Sequence, residues 1–405
     1  MSGAGGERTR RVTLVATYEL GRQPFGLASP AAWLREAGLE VTTVDLSREP
    51  FVSDAFDADL IAFHLPMHTA TRLAMPVIRR VRGLAPTTPI CCYGLYAPLN
   101  ERWLRRLGVT HVLGGEFEAR LRDLACGTPP AGASADLPRL RFRVPDRRGL
   151  PPLEGYAALR TPNGGRRVVG YTEASRGCKH RCRHCPVVPV YDGRFRVVAR
   201  DVVLADVEAQ VAAGARHVTF GDPDFFNGVG HATALVEEFA RRFPGVSYDV
   251  TIKVEHLLRH RDRLPILRDT GCAFVVTAAE SLDDAVLARL DKGHTRADFE
   301  TLVEHCAGLG LTLAPTFIPF TPWTTLESYA ELLRSLDALG LVAHVAPVQL
   351  TLRLLVTSGS SLLTLEPFAS AASAFDGERL VHPWTHRDGR VDRLQAAAAP
   401  PNARV

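Results

Sequence analysis

A repeated alternation of short β-rich runs and amphipathic helical stretches constrains the fold more than any other feature. Five β-rich runs lie between residues 11 and 127, at Val12–Ala16, Glu40–Leu46, Asp59–Leu65, Pro89–Tyr96 and Thr110–Leu113. The helical stretches are Ser29–Ala37, Thr69–Val81, Asn100–Leu107 and Glu116–Ala125. Ser29-Pro30 predicts an N-cap followed by proline in the first helical turn. The alternation predicts a parallel, doubly wound sheet, in which ligands bind beyond the carboxyl ends of the strands.

A second block of alternation begins near residue 166. Its predicted strands are Val168–Glu173, His217–Phe220, Ser247–Lys253, Phe274–Ala279, Leu311–Ile318 and Ala343–Gln349. Its predicted helices are Val203–Ala213, Ala232–Arg242, Leu257–Thr270, Asp283–Leu290, Asp298–Leu309 and Leu326–Leu339. Six βα units occupy about 180 residues, whereas a closed eight-unit barrel typically needs about 250. The sequence therefore predicts an α/β protein with a doubly wound, flavodoxin-like first domain and an open six-unit (βα) partial TIM barrel.

Proline and arginine mark the predicted boundaries. Residues 128–165 contain seven prolines, several arginines and Gly164-Gly165, which predicts a linker or an irregular wrap rather than a core. The predicted organisation comprises a flexible N-terminus 1–10, a doubly wound domain 11–127, the linker 128–165, a partial barrel 166–355 and a C-terminal extension 356–405.

Composition excludes several classes of protein. Of the 405 residues, 46% are apolar and 23% are charged, which is ordinary for a globular protein. The net charge of +4 gives no reason to expect nucleic acid as the main partner. The apolar run Val12–Ala16 is too short for a signal-peptide core, and no stretch reaches the ~18 apolar residues of a membrane span. We therefore predict a cytoplasmic protein without membrane partners, whose thiols stay reduced.

Three of the eight cysteines lie within eight residues of one another, directly after the first strand of the second block. Cys178, Cys182 and Cys185 form a CxxxCxxC loop at a strand end, where a barrel places its chemistry. Three thiolates can hold one iron–sulfur cluster and leave one iron without a protein ligand. A zinc site that includes His180 or His184 is an alternative, although zinc ligands usually come as two short pairs. Inert buried cysteines are the other alternative.

This loop resembles that of the radical S-adenosylmethionine (SAM) superfamily, and the resemblance covers roughly residues 165–350. It implies a [4Fe-4S] cluster on the three cysteines, with SAM on the fourth iron. Reduction would cleave SAM to a 5'-deoxyadenosyl radical. By the same resemblance His184 would pack on the adenine, and Gly221 and Asp222, after the second strand, would contact the methionine amino group. A plain turn is the alternative for Gly221 and Asp222.

Further candidates follow the later strands. The sequence around Glu280 and Lys292-Gly293-His294-Thr295 resembles that of several radical SAM groups. This resemblance implies that Glu280 and Ser281 lie on the side of the site that binds SAM. Ser281 is also a candidate N-cap. Gln349 and Arg353 are candidates for binding a carboxylate of SAM or substrate. Lys253-Val254-Glu255-His256, after the third strand, either faces the cavity or starts a helix. The catalytic residues stay unassigned.

The first domain resembles that of the cobalamin-binding radical SAM group. Glycines at strand ends let a large flat ligand approach the backbone. The resemblance implies cobalamin contacts at Gly26, Gly94, Gly115 and Glu116. The DxHxxG text that supplies an axial histidine in many cobalamin domains is absent from the first loop. A degenerate flavodoxin-like domain that only docks on the barrel is the alternative.

Longer stretches of text, including GDPDFFNG at residues 221–228, resemble the radical SAM proteins known for a cysteine/selenocysteine-AEP tail. No cysteine follows Cys306, so either the tail is missing or the resemblance to this subgroup is wrong. The sequence predicts cobalamin-dependent methyl transfer or radical rearrangement on a small molecule, with an external donor such as flavodoxin or ferredoxin. The alternatives are a radical SAM enzyme with a vestigial cobalamin domain, and a non-enzymatic zinc- or cluster-stabilised binding protein.

The other five cysteines are predicted to pack as small buried side chains. They are Cys91, Cys92, Cys126, Cys272 and Cys306.

Overall fold

The computed structural model describes residues 9–128, 132, 134–161, 163–370 and 374–399. The predicted flexible N-terminus therefore lies mostly outside the described residues, as do Pro129, Pro130 and the last six residues of the Ala-rich C-terminal text. The chain divides into two compact units. Unit 1 contains residues 1–171, 201–215 and 378–380, and unit 2 contains residues 172–200, 216–377 and 381–405.

The strands and helices alternate along most of the chain. The strands are β1 (Arg11–Ala16), β2 (Glu40–Asp45), β3 (Leu60–His64), β4 (Ile90–Tyr93), β5 (His111–Gly115), β6 (Ala135–Asp136), β7 (Ala158–Arg160), β8 (Arg166–Thr172), β9 (Ser175–Gly177), β10 (Phe195–Val197), β11 (His217–Phe220), β12 (Ser247–Thr251), β13 (Cys272–Glu280) and β14 (Leu313–Phe317). The helices are α1 (Phe25–Glu36), α2 (His68–Leu84), α3 (Tyr96–Leu99), α4 (Glu101–Arg106), α5 (Glu118–Ala125), α6 (Val188–Tyr191), α7 (Arg200–Ala212), α8 (Val229–Arg242), α9 (Val254–Arg259), α10 (Leu264–Asp269), α11 (Asp284–Leu290), α12 (Arg296–Leu309), α13 (Leu326–Ala338) and α14 (Gly389–Ala398).

Unit 1 contains a parallel sheet in the order β2-β1-β3-β4-β5-β6. Successive side chains of a strand point to opposite faces, and both faces are apolar here: Leu14 packs in one hydrophobic cluster and Val15 in the other. The continuous apolar runs seen in the sequence are typical of a parallel sheet covered on both sides. The order 2-1-3-4-5 is that of flavodoxin-like folds, whose ligand crevice lies at the carboxyl ends of β1 and β3. The predicted doubly wound sheet is confirmed.

Helix α1 begins earlier than predicted. It starts at Phe25, with Pro24 as the N-cap residue, and Pro30 lies inside the helix. Ser29 is therefore not an N-cap, and its hydroxyl donates to Glu118 Oε1 at 2.7 Å. The buried side chains of Phe25 and Leu27 explain the difference, because their burial extends the helix by a turn before Ser29.

The predicted linker wraps unit 1 irregularly. Leu137, Phe142 and Leu153 are buried. Arg147 donates two hydrogen bonds to the Asp206 carboxylate, from Nε to Oδ1 and from Nη2 to Oδ2, each at 2.9 Å. Asp206 is only 1% exposed. Since a buried carboxylate needs a partner, Arg147 anchors this segment.

Unit 2 contains a parallel sheet in which β11, β12, β13 and β14 are neighbours in that order. Gly221 N donates to the carbonyl of Thr172 at 2.8 Å, so the end of the first predicted strand lies beside the end of the second. Five of the six predicted strands are present. The open half-barrel is confirmed, and its strand ends bring residues 172–185, 221–227, 252–256 and 280–281 to one edge.

The sixth predicted strand, Ala343–Gln349, is wrong. This segment forms short 3-10 turns at Val342–His344 and Pro347–Leu350. Pro347 has no N–H to donate to a strand ladder, and Val342 and Val348 are exposed, so burial does not hold the segment in the sheet. A parallel bridge between Phe320 and Arg353 lies further along instead. The helix predicted at Leu257–Thr270 is likewise split into α9 and α10, with Pro265 in the first turn of α10.

The C-terminal segment packs within unit 2. Leu354, Val356, Leu362 and Phe368 form a hydrophobic cluster with side chains of α11. The Ser360 hydroxyl donates to the carbonyl of Arg183 at 3.2 Å, inside the cysteine loop. The segment therefore helps to hold that loop. No helix in the described part of the chain is both long and apolar enough to cross a membrane.

Candidate active site

The cysteine loop leaves the sheet through a short antiparallel hairpin. Strands β9 and β10 pair with Gly177 opposite Phe195. Gly177 has a φ of +76°, and a Cβ there would lie 2.4 Å from the carbonyl of Arg194, so only glycine fits. Asn227 holds the loop start, because its Oδ1 accepts from Lys179 N at 3.0 Å and its Nδ2 donates to Gly177 O at 3.3 Å.

The three loop thiols are free and largely shielded from solvent. Burial raises the pKa of Cys178 to about 11 and that of Cys185 to about 12. Thiolates at these positions therefore need a compensating positive charge, which bound iron supplies. In the described chain the three sulfurs are not among the donor groups that converge within 4.8 Å. A single tetrahedral zinc ion would bring its sulfurs to about 4 Å of one another. The donor set thus fits an iron–sulfur cluster better than one zinc ion.

The other cysteines mostly serve packing, as predicted. Cys91, Cys92 and Cys306 are buried, and Cys272 is half-buried. Burial raises the pKa of each of these four thiols, so they stay protonated and unreactive. Cys126 is different: it is exposed at the turn after α5, where the helix has ended and no core covers it. The prediction of packing is wrong for Cys126.

A buried ion pair lies beside the cysteine loop. Glu280 Oε1 contacts Lys292 Nζ at 3.3 Å and His184 Nε2 at 3.2 Å. Burial alone would raise the pKa of Glu280, but Lys292 and His184 lower it to about 2. Burial would lower the pKa of Lys292, but Glu280 and the nearby Cys182 raise it. The structure therefore brings His184 and Glu280 together and adds Lys292.

Gly221 and Asp222 lie beside the residues that precede the cysteine loop. The Asp222 carboxylate accepts from Ala174 N at 2.9 Å and from the Ser175 hydroxyl at 2.5 Å. It is 2% exposed, and burial raises its pKa to about 7. Both oxygens have partners in the protein, so Asp222 holds the strand before the cysteines. Its predicted contact with SAM stays a prediction.

Ser281, another predicted contact of SAM, lies at the end of β13, before α11. Ser281 is not the N-cap of α11: that residue is Asp283, whose carboxylate accepts from Ala285 N and Val286 N. Ser281 Oγ accepts from Asp283 N at 3.0 Å, and Ser281 also lines a cavity with Glu280, Pro319 and Thr324.

Gln349 and Arg353 are engaged by the protein itself. Gln349 Oε1 accepts from Phe317 N at 3.3 Å. Arg353 donates to Asp392 Oδ1 and to Trp384 O, both at 2.7 Å. The guanidinium of Arg353 is thus tied to the C-terminal segment, and its predicted role in binding a carboxylate stays a prediction.

The sequence analysis did not assign a role to several charged residues of the site, or left two interpretations open for them. Lys253, at the end of the third strand of the half-barrel, is the N-cap residue of α9. Its Nζ also lies 3.1 Å from both His180 Nδ1 and Glu255 Oε2. The helix-start and cavity-facing interpretations therefore hold together. Asp224 and His256 join the same group, with Asp224 Oδ2 at 2.7 Å from His256 Nδ1. Their position after neighbouring strands was the sequence feature that could have identified them.

The predicted cobalamin glycines of unit 1 pack on the unit's own atoms. A Cβ on Gly26 would lie 1.9 Å from His64, and one on Gly115 would lie 2.1 Å from the carbonyl oxygen of Asp136. Gly94 is likewise against His64. Glu116 is fully buried. This close packing explains why these three positions are glycine, and the predicted contacts of the four residues with cobalamin stay predictions.

Gly26→Ala tests this packing. His64 cannot easily move away from the new methyl group, because its Nδ1 contacts Glu19 Oε1 at 2.6 Å. We expect a loss of unfolding free energy of about 1–3 kcal/mol, measured by denaturant unfolding of the cofactor-free protein. Gly83→Ala is the control: it lies in α2 with open space around a Cβ, and it should stabilise by about 0.5–1 kcal/mol. An unchanged midpoint for Gly26→Ala would contradict the close approach of His64 to Gly26.

Comparison with known proteins identifies the class to which this half-barrel and its cysteine loop belong. Residues 172–336 match the family model described as the Radical SAM superfamily. This match supports the resemblance of residues 172–336 to radical SAM domains, and with it an enzyme that uses a [4Fe-4S] cluster and SAM. The match disfavours a non-enzymatic zinc-stabilised binding protein.

Individual relatives refine the comparison. A tRNA-2-methylthio-N(6)-dimethylallyladenosine synthase of Sorangium cellulosum is 27% identical over 272 residues, which cover 60% of this chain and 52% of the relative. The chain thus matches about half the length of that relative.

Two solved structures share the fold of most of the chain. The radical SAM methyltransferase TsrM of Kitasatospora setae, with tryptophan and a SAM analogue bound, has a TM-score of 0.66 at 20% identity, covering 82% of this chain and 72% of TsrM. The cobalamin-dependent radical SAM enzyme OxsB, with aqua-cobalamin and SAM bound, has a TM-score of 0.69 at 13% identity, covering 96% of this chain and 66% of OxsB. The chain therefore shares the fold of these two enzymes over most of its length.

Proposed function

We propose that the protein is a radical SAM enzyme that transfers a methyl group to, or rearranges, a small molecule with the help of cobalamin. The observation that carries the proposal is the set of free cysteines Cys178, Cys182 and Cys185 beside the buried Glu280–Lys292 pair. A cluster bound there supplies the electron that cleaves SAM to a 5'-deoxyadenosyl radical. The proposed location is the cytoplasm, with a flavodoxin or ferredoxin as electron donor.

The residues around the loop have distinct proposed roles. The Lys292 ammonium offsets the negative charge of the ligated thiolates, since Cys182 and Cys185 both lie close enough to interact with it. The Glu280 carboxylate stays ionised and can accept hydrogen bonds from a bound SAM. His184 contacts Glu280 at 3.2 Å, which positions its ring next to the third cysteine. Gly221, Asp222, Ser281 and Gln349 remain proposed contacts of SAM.

Cobalamin is proposed for unit 1. The supporting observations are the flavodoxin-like strand order and the likeness to OxsB and TsrM, whose solved structures hold cobalamin. The carboxyl ends of β1 and β3 bring Glu19 and His64 together at the crevice where such sheets bind ligands. Gly26 and Gly94 lie beside His64, and Gly115 ends β5, and together with Glu116 they remain proposed neighbours of cobalamin. A vestigial domain would share this fold without retaining the cofactor.

Anaerobic reconstitution tests the radical SAM part of the proposal. The full-length protein, supplied with iron and sulfide, should bind about four iron ions per chain. On reduction with dithionite it should release 5'-deoxyadenosine from SAM, measured by chromatography. A reconstituted protein that binds iron but leaves SAM intact under reduction would contradict the proposal.

Cobalamin binding and the reaction type need separate measurements. Purified protein incubated with hydroxocobalamin and passed through a desalting column should retain about one corrinoid per chain, read from its absorption. Loss of all corrinoid on the column would favour a vestigial domain.

Once a substrate is in hand, SAM with an isotopically labelled methyl group separates methyl transfer from rearrangement. Label in the product indicates methyl transfer, and an unlabelled isomer indicates rearrangement.

A further inference from the structure

Three side chains of unit 2 converge outside the cysteine set. They are His180, within the cysteine loop, Asp224, after β11, and His256, on α9. One ligand atom from each lies within 4.8 Å of the other two. We refer to them as the His–Asp–His triad. The topology explains the convergence, because the loop and the neighbouring strands β11 and β12 end at the same edge of the half-barrel.

The converging atoms are buried and make no hydrogen bonds. Asp224 Oδ2 lies 3.5 Å from His180 Nε2 and 2.7 Å from His256 Nδ1. Within the described part of the chain, none of these three atoms has a hydrogen-bond partner, because the contacts lack the necessary angles. The side chains of Asp224 and His256 are 2% and 4% exposed. Each atom thus has a neighbour of the triad within 3.5 Å but no well-directed hydrogen bond, and a metal ion bound between the three would satisfy all of them.

The spacing matches adjacent ligands of one metal ion. Ligand atoms at about 2.1 Å from a metal are about 3 Å apart when they occupy neighbouring positions. The two contacts of Asp224 Oδ2, 2.7 and 3.5 Å, lie on either side of this value. Two imidazoles and one carboxylate are a donor set typical of divalent iron and related transition metals, with positions left open for other ligands.

Outer groups are present for the ring of His180. Its second nitrogen, Nδ1, lies 3.5 Å from Glu255 Oε2 and 3.1 Å from Lys253 Nζ. A histidine that binds metal through Nε2 carries its proton on Nδ1 and usually donates it to a carboxylate. In the structure Lys253 Nζ donates to Nδ1, so metal binding through Nε2 requires Lys253 to leave Nδ1 for Glu255, with which it is already paired at 3.1 Å, and the Nδ1 proton then faces Glu255 Oε2.

We propose that the His–Asp–His triad binds one divalent transition-metal ion, separate from the iron–sulfur cluster. The ligands are His180 Nε2, Asp224 Oδ2 and His256 Nδ1. The remaining positions of the ion face water or an oxygen or nitrogen atom of the substrate. The site does not depend on cobalamin or on the reaction type, since it consists of residues of unit 2 alone.

Zinc analysis of the full-length protein tests the site. After anaerobic reconstitution with iron and sulfide, the protein is incubated with Zn²⁺, desalted and analysed by plasma mass spectrometry. We expect about one zinc ion per chain in addition to the cluster iron. Asp224→Asn and His256→Gln should reduce zinc to background while the cluster iron stays. His260→Gln is the matched control, because His260 lies next to His256 but outside the converging atoms.

Two further variants separate this site from the cysteines. The triple variant Cys178→Ala, Cys182→Ala, Cys185→Ala should lose the iron and keep the zinc. Glu255→Gln should weaken zinc binding by about 10- to 100-fold, as loss of an outer carboxylate typically does. The proposal is overturned if zinc disappears with the cysteines, or if Asp224→Asn and His256→Gln bind as much zinc as the unsubstituted protein. Retained cluster iron in these two variants excludes misfolding as the cause of zinc loss.

Discussion

Cys182→Ala should leave a folded protein that neither holds the iron–sulfur cluster nor cleaves SAM. Cys182 is the most buried of the three loop cysteines, at 7% exposure, and it lies near the Lys292 ammonium. Removing one of three protein ligands leaves two thiolates, which is too few to hold a cubane cluster firmly. We expect the visible absorption of the cluster to vanish and 5'-deoxyadenosine formation to fall to the level without enzyme.

Cys306→Ala is the matched control for this loss. Cys306 is also buried, at 1% exposure, but it lies on α12 among apolar side chains. This variant should bind the same amount of iron and cleave SAM at the unsubstituted rate, with only a small loss of stability. If Cys182→Ala retained a full complement of iron, the assignment of the cluster ligands would be wrong.

Glu280→Gln should lower stability more than any other substitution proposed for this protein. The change leaves the Lys292 ammonium, which is 3% exposed, without its anionic partner. Breaking a buried ion pair by removing one partner typically costs about 3–5 kcal/mol. Denaturant unfolding of the cluster-free protein should show a loss of this size. SAM cleavage should also fall, because the neutral amide no longer orients His184 and Lys292 as the carboxylate does.

A second substitution separates the structural role of this pair from its role toward SAM. Lys292→Met combined with Glu280→Gln removes both charges, so most of the lost stability should return. The double variant should still cleave SAM poorly. An exposed pair gives the comparison: Asp269→Asn, which removes the partner of Arg268, should change stability by less than about 1 kcal/mol. Full SAM cleavage by the stable double variant would refute the proposed role of Glu280 and Lys292.

The sequence identified the cysteine loop because its information is local. Three thiols at fixed spacing after a strand predict a cluster site without any knowledge of distant residues. The same holds for the parallel strands of unit 1, whose apolar runs follow from burial on both faces. The prediction of the sixth strand was wrong for a related reason. Ala343–Gln349 is apolar enough to be a strand, but the sequence does not reveal that Val342 and Val348 are exposed.

Side chains that meet across the fold were harder to predict. Lys292 follows Glu280 by twelve residues, and only the tertiary structure places its ammonium 3.3 Å from that carboxylate. Asp222 was expected to face SAM, yet folding brings Ala174 and Ser175 to both of its oxygens. His180, Asp224 and His256 come from three segments, so their convergence depends on the order of the strands and on where each one ends.

The sequence by itself determined the class of fold and the succession of most strands, and it predicted the cysteine ligands, because periodicity and motif spacing are properties of neighbouring residues. Only the tertiary structure decided the partner of Glu280, the packing of Gly26 against His64 and the convergence of the His–Asp–His triad. These depend on distances between residues far apart in the chain, and those distances are set by the packing of whole strands and helices rather than by local pattern.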